Sequence, residues 1–196
     1  MNAAEELDAR IKAMAVPAYD ARLSNIMDEA KYHEYAFRNP GHTYYVYLAK
    51  LVKALQPRKV VELGTDIGRS GLFIMTQLPE KSEFWTVEIG DHPAVDLDPF
   101  KGDPRLHILK GSDLDPRNTN QIGGGIDLLF VDTNHEYTQA MTEWAVYKMQ
   151  MNRPGVAVFD DISLNPGMQQ FWNEVTETRA SCGTDIHNSG FGLVTL

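Results

Sequence analysis

Residues 126–137 read IDLLFVDTNHEY, and this stretch combines the pattern of a strand with the start of a helix. The nearly unbroken apolar run at 126–131 is typical of a buried strand. Asp132, a short polar corner and His135 follow it, and His135 begins a helical pattern. In an open α/β sheet, ligands bind beyond the carboxyl ends of the strands. Asp132 and His135 are therefore candidate functional residues.

Further strand and helix patterns lie on both sides of this stretch. We expect strands at residues 59–63, 84–89, 106–109, 126–131 and 155–160, and two short strands at about 185–187 and 192–196. Helical patterns occur at 70–78, 135–149 and 167–178. Alternating strands and helices predict right-handed crossovers and a mainly parallel sheet with helices on both faces. The sequence therefore predicts an α/β, Rossmann-like fold with a seven-stranded sheet.

The first part of the chain is helical in pattern and precedes any strand. Apolar residues at helical spacing predict helices at 4–16, around 23–30 and at 43–55, and Asn-Pro-Gly at 39–41 is a strong turn signal. We therefore divide the chain into a helical N-terminal extension at residues 1–42, a candidate substrate cap, and one domain at residues 43–196.

Composition restricts the partners of the protein. The chain has 196 residues and a net charge of -9 without a basic patch, which argues against nucleic acid or an anionic membrane as a partner. Acidic residues near the start, no apolar run of membrane-spanning length and a single cysteine, Cys182, predict a cytoplasmic protein without disulfides. The oligomeric state stays open, with a homo-oligomer as one option.

A glycine-containing loop follows the first strand, in VVELGTDIGRSG (60–71). Glycines at this junction let the backbone approach a ligand, and the first N–H groups of the next helix favour an anion. Asp66 occupies the position of the second glycine in the dinucleotide fingerprint G-x-G-x-x-G, which disfavours a dehydrogenase. The structural alternative is that Gly64, Gly68 and Gly71 only make a tight turn.

Polar residues also follow the second and third strands. Glu88 ends the second strand, where a carboxylate can accept hydrogen bonds from ribose hydroxyls, although an exposed strand-end acid is the alternative. Gly111, Ser112 and Asp113 follow the third strand. Ser112 and Asp113 could instead cap a helix.

Three carboxylates follow the fourth and fifth strands. Asp132 ends the fourth and Asp160 and Asp161 end the fifth, so they meet if these strands are neighbours. Close carboxylates repel one another unless a cation lies among them, and oxygen ligands suit Mg²⁺. Thr133 and Glu136 match a capping box, which is a structural explanation for the same corner.

Three motifs carry a resemblance to a known family. E-x-G-x-x-x-G at 62–68 resembles the first motif of class I S-adenosylmethionine-dependent methyltransferases, whose loop cradles the methionine part of the cofactor. D-L-L-F-V-D-x-x-H-x-Y at 127–137 and P-G-V-x-x-x-D-D at 154–161 resemble the metal-dependent O-methyltransferases of the macrolide-sugar and cephalosporin-hydroxylase-like group. Catechol-type and caffeoyl-coenzyme-A-type relatives generally carry a lysine near the histidine position and Asp-Asn at the second site. This sequence has His135 and Asp160-Asp161 instead, which favours the sugar-type branch.

The resemblance, which covers about residues 43–196, implies an enzyme that moves a methyl group from S-adenosylmethionine to a hydroxyl of a small molecule of sugar or natural-product type. In that group, acids matching Asp132, Asp160 and Asp161 hold Mg²⁺ or another divalent cation, and the histidine matching His135 is the general base. We count Asp132 with His135 as catalytic. The candidate cofactor-binding residues are Glu62, Gly64, Thr65, Gly68, Ser70, Glu88, Ser112, Asp113 and Asp132.

Two rival functions remain at this point. One is a catalytically silent S-adenosylmethionine-binding module, and the other is a metal-dependent hydrolase that uses the same acids on water. The other histidines show no ligand spacing, so core or surface roles are expected for His33, His42, His92, His107 and His187. Residues 91–104, rich in proline and acids, are expected to form a surface loop rather than a lid.

Overall fold

The computed structural model describes residues 1–24, 26–37 and 42–196, so the turn predicted at 39–41 lies outside the described residues. The strands are β1 Lys59–Leu63, β2 Glu83–Glu88, β3 Leu106–Lys110, β4 Ile126–Val131, β5 Met151–Asp160, β6 Thr178–Ser181 and β7 Phe191–Thr195. The α-helices are α1 Ala3–Ala13, α2 Glu29–Phe37, α3 Thr43–Leu55, α4 Arg69–Gln77, α5 Pro116–Ile122, α6 Tyr137–Lys148 and α7 Pro166–Glu174. Short 3₁₀ helices span Ala21–Leu23 and Val95–Phe100.

The seven strands form one sheet in the order β3-β2-β1-β4-β5-β7-β6. β1 to β5 run parallel, whereas β7 is antiparallel to both β5 and β6. Alternate side chains along each strand point to opposite faces, so the sheet separates two hydrophobic cores. One core packs against α1 to α4 and the other against α5 to α7. This arrangement confirms the predicted Rossmann-like α/β fold.

The helical start of the chain is also confirmed, and it shares the first core with the sheet. α1 contacts α3, β6 and β7, and its Ala4 and Ile11 are fully buried. The helix predicted around 23–30 is wrong for the described residues of that range, because Asp20 caps a 3₁₀ helix that ends at Leu23 and Asp28 precedes a separate helix, α2. Asp20 accepts a hydrogen bond from the Arg22 N–H at the 3₁₀ helix, and Asp28 accepts one from the Lys31 N–H at α2. No helix in the described ranges is long and apolar enough to cross a membrane.

Two other predictions were wrong near the sheet. The strand expected at 185–187 is absent from those residues, and β6 instead follows α7 directly, paired with β7 from Thr178 to Ser181. Gly183 and Gly190 have positive φ and bound the loop between β6 and β7. Residues 91–104 contain the Val95–Phe100 3₁₀ helix, whose Leu97 and Phe100 are buried, so they are not simply a surface loop.

Two backbone segments approach each other closely where β1 and β4 end. Gly64 has a φ of +94°, and a Cβ atom placed there would lie 1.8 Å from the carbonyl oxygen of Asp132. The Asp132 N–H donates to the Leu63 carbonyl at 2.9 Å, and the Gly64 N–H donates to the Val87 carbonyl at 3.0 Å. Only glycine fits this junction, and the backbone hydrogen bond from Asp132 to Leu63 joins the segments that follow β1 and β4.

We expect Gly64→Ala to lower the free energy of unfolding by about 3 kcal/mol or more, because the methyl group would overlap backbone rather than a side chain that can move. Gly102→Ala is the matched control. Gly102 also has a positive φ, of +85°, but open space surrounds its Cβ position, so only the strain of about 1 kcal/mol applies. Urea denaturation measures both. Equal losses in the two variants would contradict the close contact.

Candidate functional site

A cavity of about 590 Å³ lies beyond the carboxyl ends of the parallel strands. Its volume is in the range of small-molecule sites. Predicted site residues that line this cavity are Gly64, Thr65, Ser70, Glu88, Ser112, Asp113 and Asp132. They lie at or just beyond the carboxyl ends of β1 to β4 and at the start of α4, so the edge predicted from the sequence does form one site.

Glu88 lies at the end of β2 and faces the cavity. Its two carboxylate oxygens each accept a backbone hydrogen bond of 2.7 Å, one from the Asp66 N–H and one from the Gly90 N–H. These bonds fix the side chain and leave lone pairs for further donors. The side chain of Glu88 is therefore fixed in position and can accept further hydrogen bonds, unlike a mobile acid on the surface.

Glu62 and Gly68 lie behind the cavity wall. Glu62 is fully buried and accepts hydrogen bonds from the hydroxyls of Ser70 (2.5 Å) and Thr86 (2.6 Å). Burial, only partly opposed by these two bonds, raises the pKa of Glu62 to about 8. Gly68 leaves room for Leu97, whose Cγ would lie 2.8 Å from an added Cβ. Both residues therefore act on the cavity through their neighbours.

The cavity wall after β3 has an unpaired acid. Asp113 is buried, and its Oδ2 atom has no hydrogen-bond partner among the described residues. The helix-cap alternative for Ser112 and Asp113 is wrong, because Asp115 caps α5 by accepting from the Arg117 N–H at 2.8 Å. A buried carboxylate oxygen without a described hydrogen bond therefore lies in this part of the cavity wall.

The capping box predicted at Thr133 and Glu136 is also wrong. α6 begins only at Tyr137 and has no side-chain cap. The Thr133 hydroxyl instead contacts both carboxylate oxygens of Glu143, at 2.8 and 2.9 Å, and the Gln139 amide donates to the same carboxylate at 2.6 Å. Burial first, and then the charge of Asp113, raises the pKa of Glu143 to about 8.

The register of β4 and β5 brings the predicted acids together. Val131 pairs with Phe159, so Asp132 and Asp160 extend side by side from neighbouring strands. His135 joins them, with Nε2 at 3.5 Å from Asp132 Oδ1 and 3.3 Å from Asp161 Oδ2. Asp132 also lines the cavity, so the cluster borders it directly.

His187 belongs to the same cluster, a contact that the sequence did not predict. Its Nδ1 lies 3.1 Å from Asp160 Oδ1 and 3.3 Å from Asp161 Oδ1. No local motif marks this residue. The available signal was the strand order, because an antiparallel β7 beside β5 returns the preceding loop to Asp160.

The electrostatics of the cluster fit a cation. Burial, with the charge of Asp132 adding to it, raises the pKa of Asp160 to about 7. Burial lowers and the neighbouring acids raise the pKa of His187, which reaches about 10. Among the described side chains, Oδ1 of Asp160 and Nε2 of His135 are buried without a hydrogen-bond partner. Oxygen and nitrogen atoms that lack hydrogen bonds and lie this close together are suitable ligands for a divalent ion.

Aromatic side chains from α3 form another part of the cavity wall. Tyr44 and Tyr45 line the cavity with ring centroids 4.1 Å apart, and Tyr44 packs edge-on against His187 at 4.7 Å. Arg69 also lines it and contacts the Tyr35 hydroxyl at 3.5 Å. The space beside the acid cluster is therefore bounded by aromatic rings and one cation.

The strand order, the glycine loop after β1 and the acids at the strand ends define the class I methyltransferase fold. A sequence profile described as a methyltransferase domain matches residues 61–162, more than half of the chain. The chain therefore belongs to this family of methyltransferase domains.

Solved structures agree on the fold. An O-methyltransferase of tomaymycin synthesis from Streptomyces achromogenes, in complex with S-adenosylmethionine, is 20% identical, with 100% of this chain and 99% of that chain covered and a TM-score of 0.68. An O-methyltransferase from Bacillus cereus, in complex with S-adenosylhomocysteine, is 18% identical, with 97% of each chain covered and a TM-score of 0.67.

A curated relative is the catechol O-methyltransferase of Niastella koreensis, 24% identical over 127 residues. The match covers 62% of this chain and 56% of the relative, so the chain spans about half the length of this protein.

We expect the stability of the protein to fall as pH rises between about 4.5 and 8, through Glu62 and Glu143. Each has a pKa raised from 4.5 to about 8, so the folded state binds more protons than the unfolded state in this window. The free energy of unfolding falls by up to about 1.4 kcal/mol per pH unit for each group. Glu62→Gln should flatten the profile in urea denaturation, whereas Glu80→Gln, at an exposed position, should not. A wild-type profile without this fall would contradict the burial effect.

Proposed function

We propose that the protein is an S-adenosylmethionine-dependent O-methyltransferase that uses a divalent metal ion and acts on a small-molecule hydroxyl. One observation carries the proposal. Asp132 lines the cavity built by the glycine loop, Glu88 and Asp113, and also belongs to the acid and imidazole cluster. A methyl donor and an activated hydroxyl would therefore meet at this residue.

The cofactor assignment follows the wall of the cavity. Gly64, Thr65 and Ser70, with Glu62 and Gly68 behind them, would receive the methionine part at the start of α4, where free N–H groups favour a carboxylate. Glu88 would accept the ribose hydroxyls, and Ser112 and Asp113 would face the adenine. Membership of the methyltransferase-domain family supports this half of the proposal.

The metal half rests on the cluster after β4 and β5. Asp132, Asp160 and Asp161 would hold the ion, Mg²⁺ or another divalent cation. When bound, such an ion lowers the pKa of a hydroxyl that it coordinates. His135, beside Asp132, would accept the hydroxyl proton while the oxygen attacks the methyl carbon and the carbon–sulfur bond breaks. Asp132 would align the two partners, and alignment supplies much of the rate gain.

The acceptor is proposed as a polyhydroxylated small molecule of sugar or natural-product type. His135 and the Asp160-Asp161 pair are the residues that favour this branch. Catechols are a second class of acceptor to test, because the Niastella koreensis relative is named a catechol O-methyltransferase. Residues 1–42 are proposed as a cap on this side, because Tyr35 reaches Arg69 in the cavity wall.

We expect S-adenosylhomocysteine to bind the protein in calorimetric titration, and Asp160→Asn to leave its affinity within about threefold. Asp160 lies outside the cofactor cavity, so only the metal step should suffer. Methyl transfer to a panel of sugars and catechols should fall by about 100-fold or more. The control is Asp185→Asn, an exposed acid in the loop between β6 and β7.

Each result separates the proposal from its rivals. No binding of S-adenosylhomocysteine would overturn the cofactor half. Turnover of an acceptor without the methyl donor would indicate a hydrolase. Binding without methyl transfer to any acceptor class would indicate a silent module. Full activity of Asp160→Asn would show that the charge of Asp160 is not needed for the metal step.

We expect His135→Gln to lower kcat by about 100- to 10,000-fold, because glutamine cannot accept the hydroxyl proton. Affinities for S-adenosylhomocysteine and for the metal ion should stay close to the wild-type values. His107→Gln, on β3, is the control. A variant that loses metal affinity as much as turnover would show that His135 is a ligand and not a base.

A further inference from the structure

His187 reaches the acid cluster from a different part of the chain than its other members. It lies in the loop between β6 and β7, and its side chain is 13% exposed. Nδ1 faces Asp160 and Asp161 at 3.1 and 3.3 Å. Asp160, Asp161 and His187 therefore offer three ligand atoms within 4.8 Å of one another.

The contact between His187 and Asp160 is not an ordinary hydrogen bond. Oδ1 of Asp160, which is 3.1 Å from Nδ1, is buried and has no hydrogen-bond partner among the described residues. The Ser189 hydroxyl, 3.3 Å from Nδ1, donates its proton to Asp161 instead. The Asp160 oxygen thus has no described hydrogen bond, and the ring nitrogen beside it has only the 3.3 Å contact with the Ser189 hydroxyl.

The spacing matches that of ligands around one ion. Two ligand atoms at roughly 2.1 Å from an octahedral ion, and at right angles to each other, are about 3.0 Å apart. The contacts of Nδ1 with Asp160 and Asp161, at 3.1 and 3.3 Å, are close to this value.

The fold holds the imidazole in this position before any ion binds. Its ring packs edge-on against Tyr44, with centroids 4.7 Å apart. The Gly190 N–H donates to the His187 carbonyl at 3.1 Å, and the Ser163 N–H donates to the Ser189 carbonyl at 2.7 Å. A ligand held on both sides loses little freedom when it coordinates.

We propose that His187 is a nitrogen ligand of the metal ion, together with Asp132, Asp160 and Asp161, and that it makes the site prefer a transition-metal ion such as Co²⁺ to Mg²⁺. The inference rests on the metal site in the proposed function. Imidazole nitrogen suits transition metals, whereas Mg²⁺ favours oxygen and water. The three-carboxylate site expected from the sequence thus becomes a mixed nitrogen and oxygen site, and His135 stays available to the acceptor.

The experiment compares Co²⁺ and Mg²⁺ binding to the chelator-treated full chain by calorimetry. We expect wild type to bind Co²⁺ more tightly than Mg²⁺. His187→Asn places an amide near the Nδ1 position, so Co²⁺ affinity should fall by about tenfold or more while Mg²⁺ affinity changes far less. His33→Gln, an exposed histidine on α2, is the control. Electron paramagnetic resonance of the Cu²⁺-loaded protein should show imidazole nitrogen coupling that weakens in His187→Asn and persists in His33→Gln.

Several outcomes would overturn the inference. One is equal affinity of wild type for the two ions. Another is unchanged Co²⁺ affinity and nitrogen coupling in His187→Asn, with folding checked by circular dichroism. A third is an equal loss for both ions without a change in coupling, which would mean that His187 only positions Asp160. If no divalent ion binds wild type, the metal half of the proposed function fails as well, while S-adenosylhomocysteine titration still reports on the cofactor half.

Discussion

The close contact between the backbones of Gly64 and Asp132 is the constraint on which the site depends. It leaves no room for a side chain at Gly64 and fixes the loop after β1 against the loop after β4. The first loop shapes the cavity, and the second carries Asp132 into the acid cluster. The two loops contact each other through their backbones rather than through flexible side chains. This contact fixes the position of the cavity relative to the acid cluster.

Buried acids in this protein fall into two groups according to their partners. Glu62 is satisfied by the hydroxyls of Ser70 and Thr86, and Glu143 by Thr133 and Gln139. Such acids maintain the wall and need no ligand. Asp160 is equally buried, but its Oδ1 atom has no hydrogen bond. A buried carboxylate oxygen is costly unless it is paired, so this atom marks where an additional positive charge belongs.

The features that depend on local pattern could be predicted from the sequence. The parallel strands have clear sequence patterns, and the carboxyl ends of parallel strands align. The sequence therefore predicted that Glu88, Asp132 and Asp160 lie at one edge of the sheet. The features that depend on strand order or on distant partners could not. Thr133 satisfies an acid ten residues further on rather than the start of α6, and His187 reaches Asp160 only because β7 reverses direction beside β5.

The two histidines of the cluster have different surroundings, which supports a division of roles between them. His135 precedes α6, has a side chain 24% exposed, and contacts Asp132, which lines the cavity. His187 is 13% exposed and lies against Asp160, Asp161 and the ring of Tyr44. A general base must be reached by the acceptor hydroxyl, whereas a ligand needs only the ion. The greater exposure of His135 and its contact with a residue of the cavity wall therefore favour His135 for proton transfer and His187 for coordination.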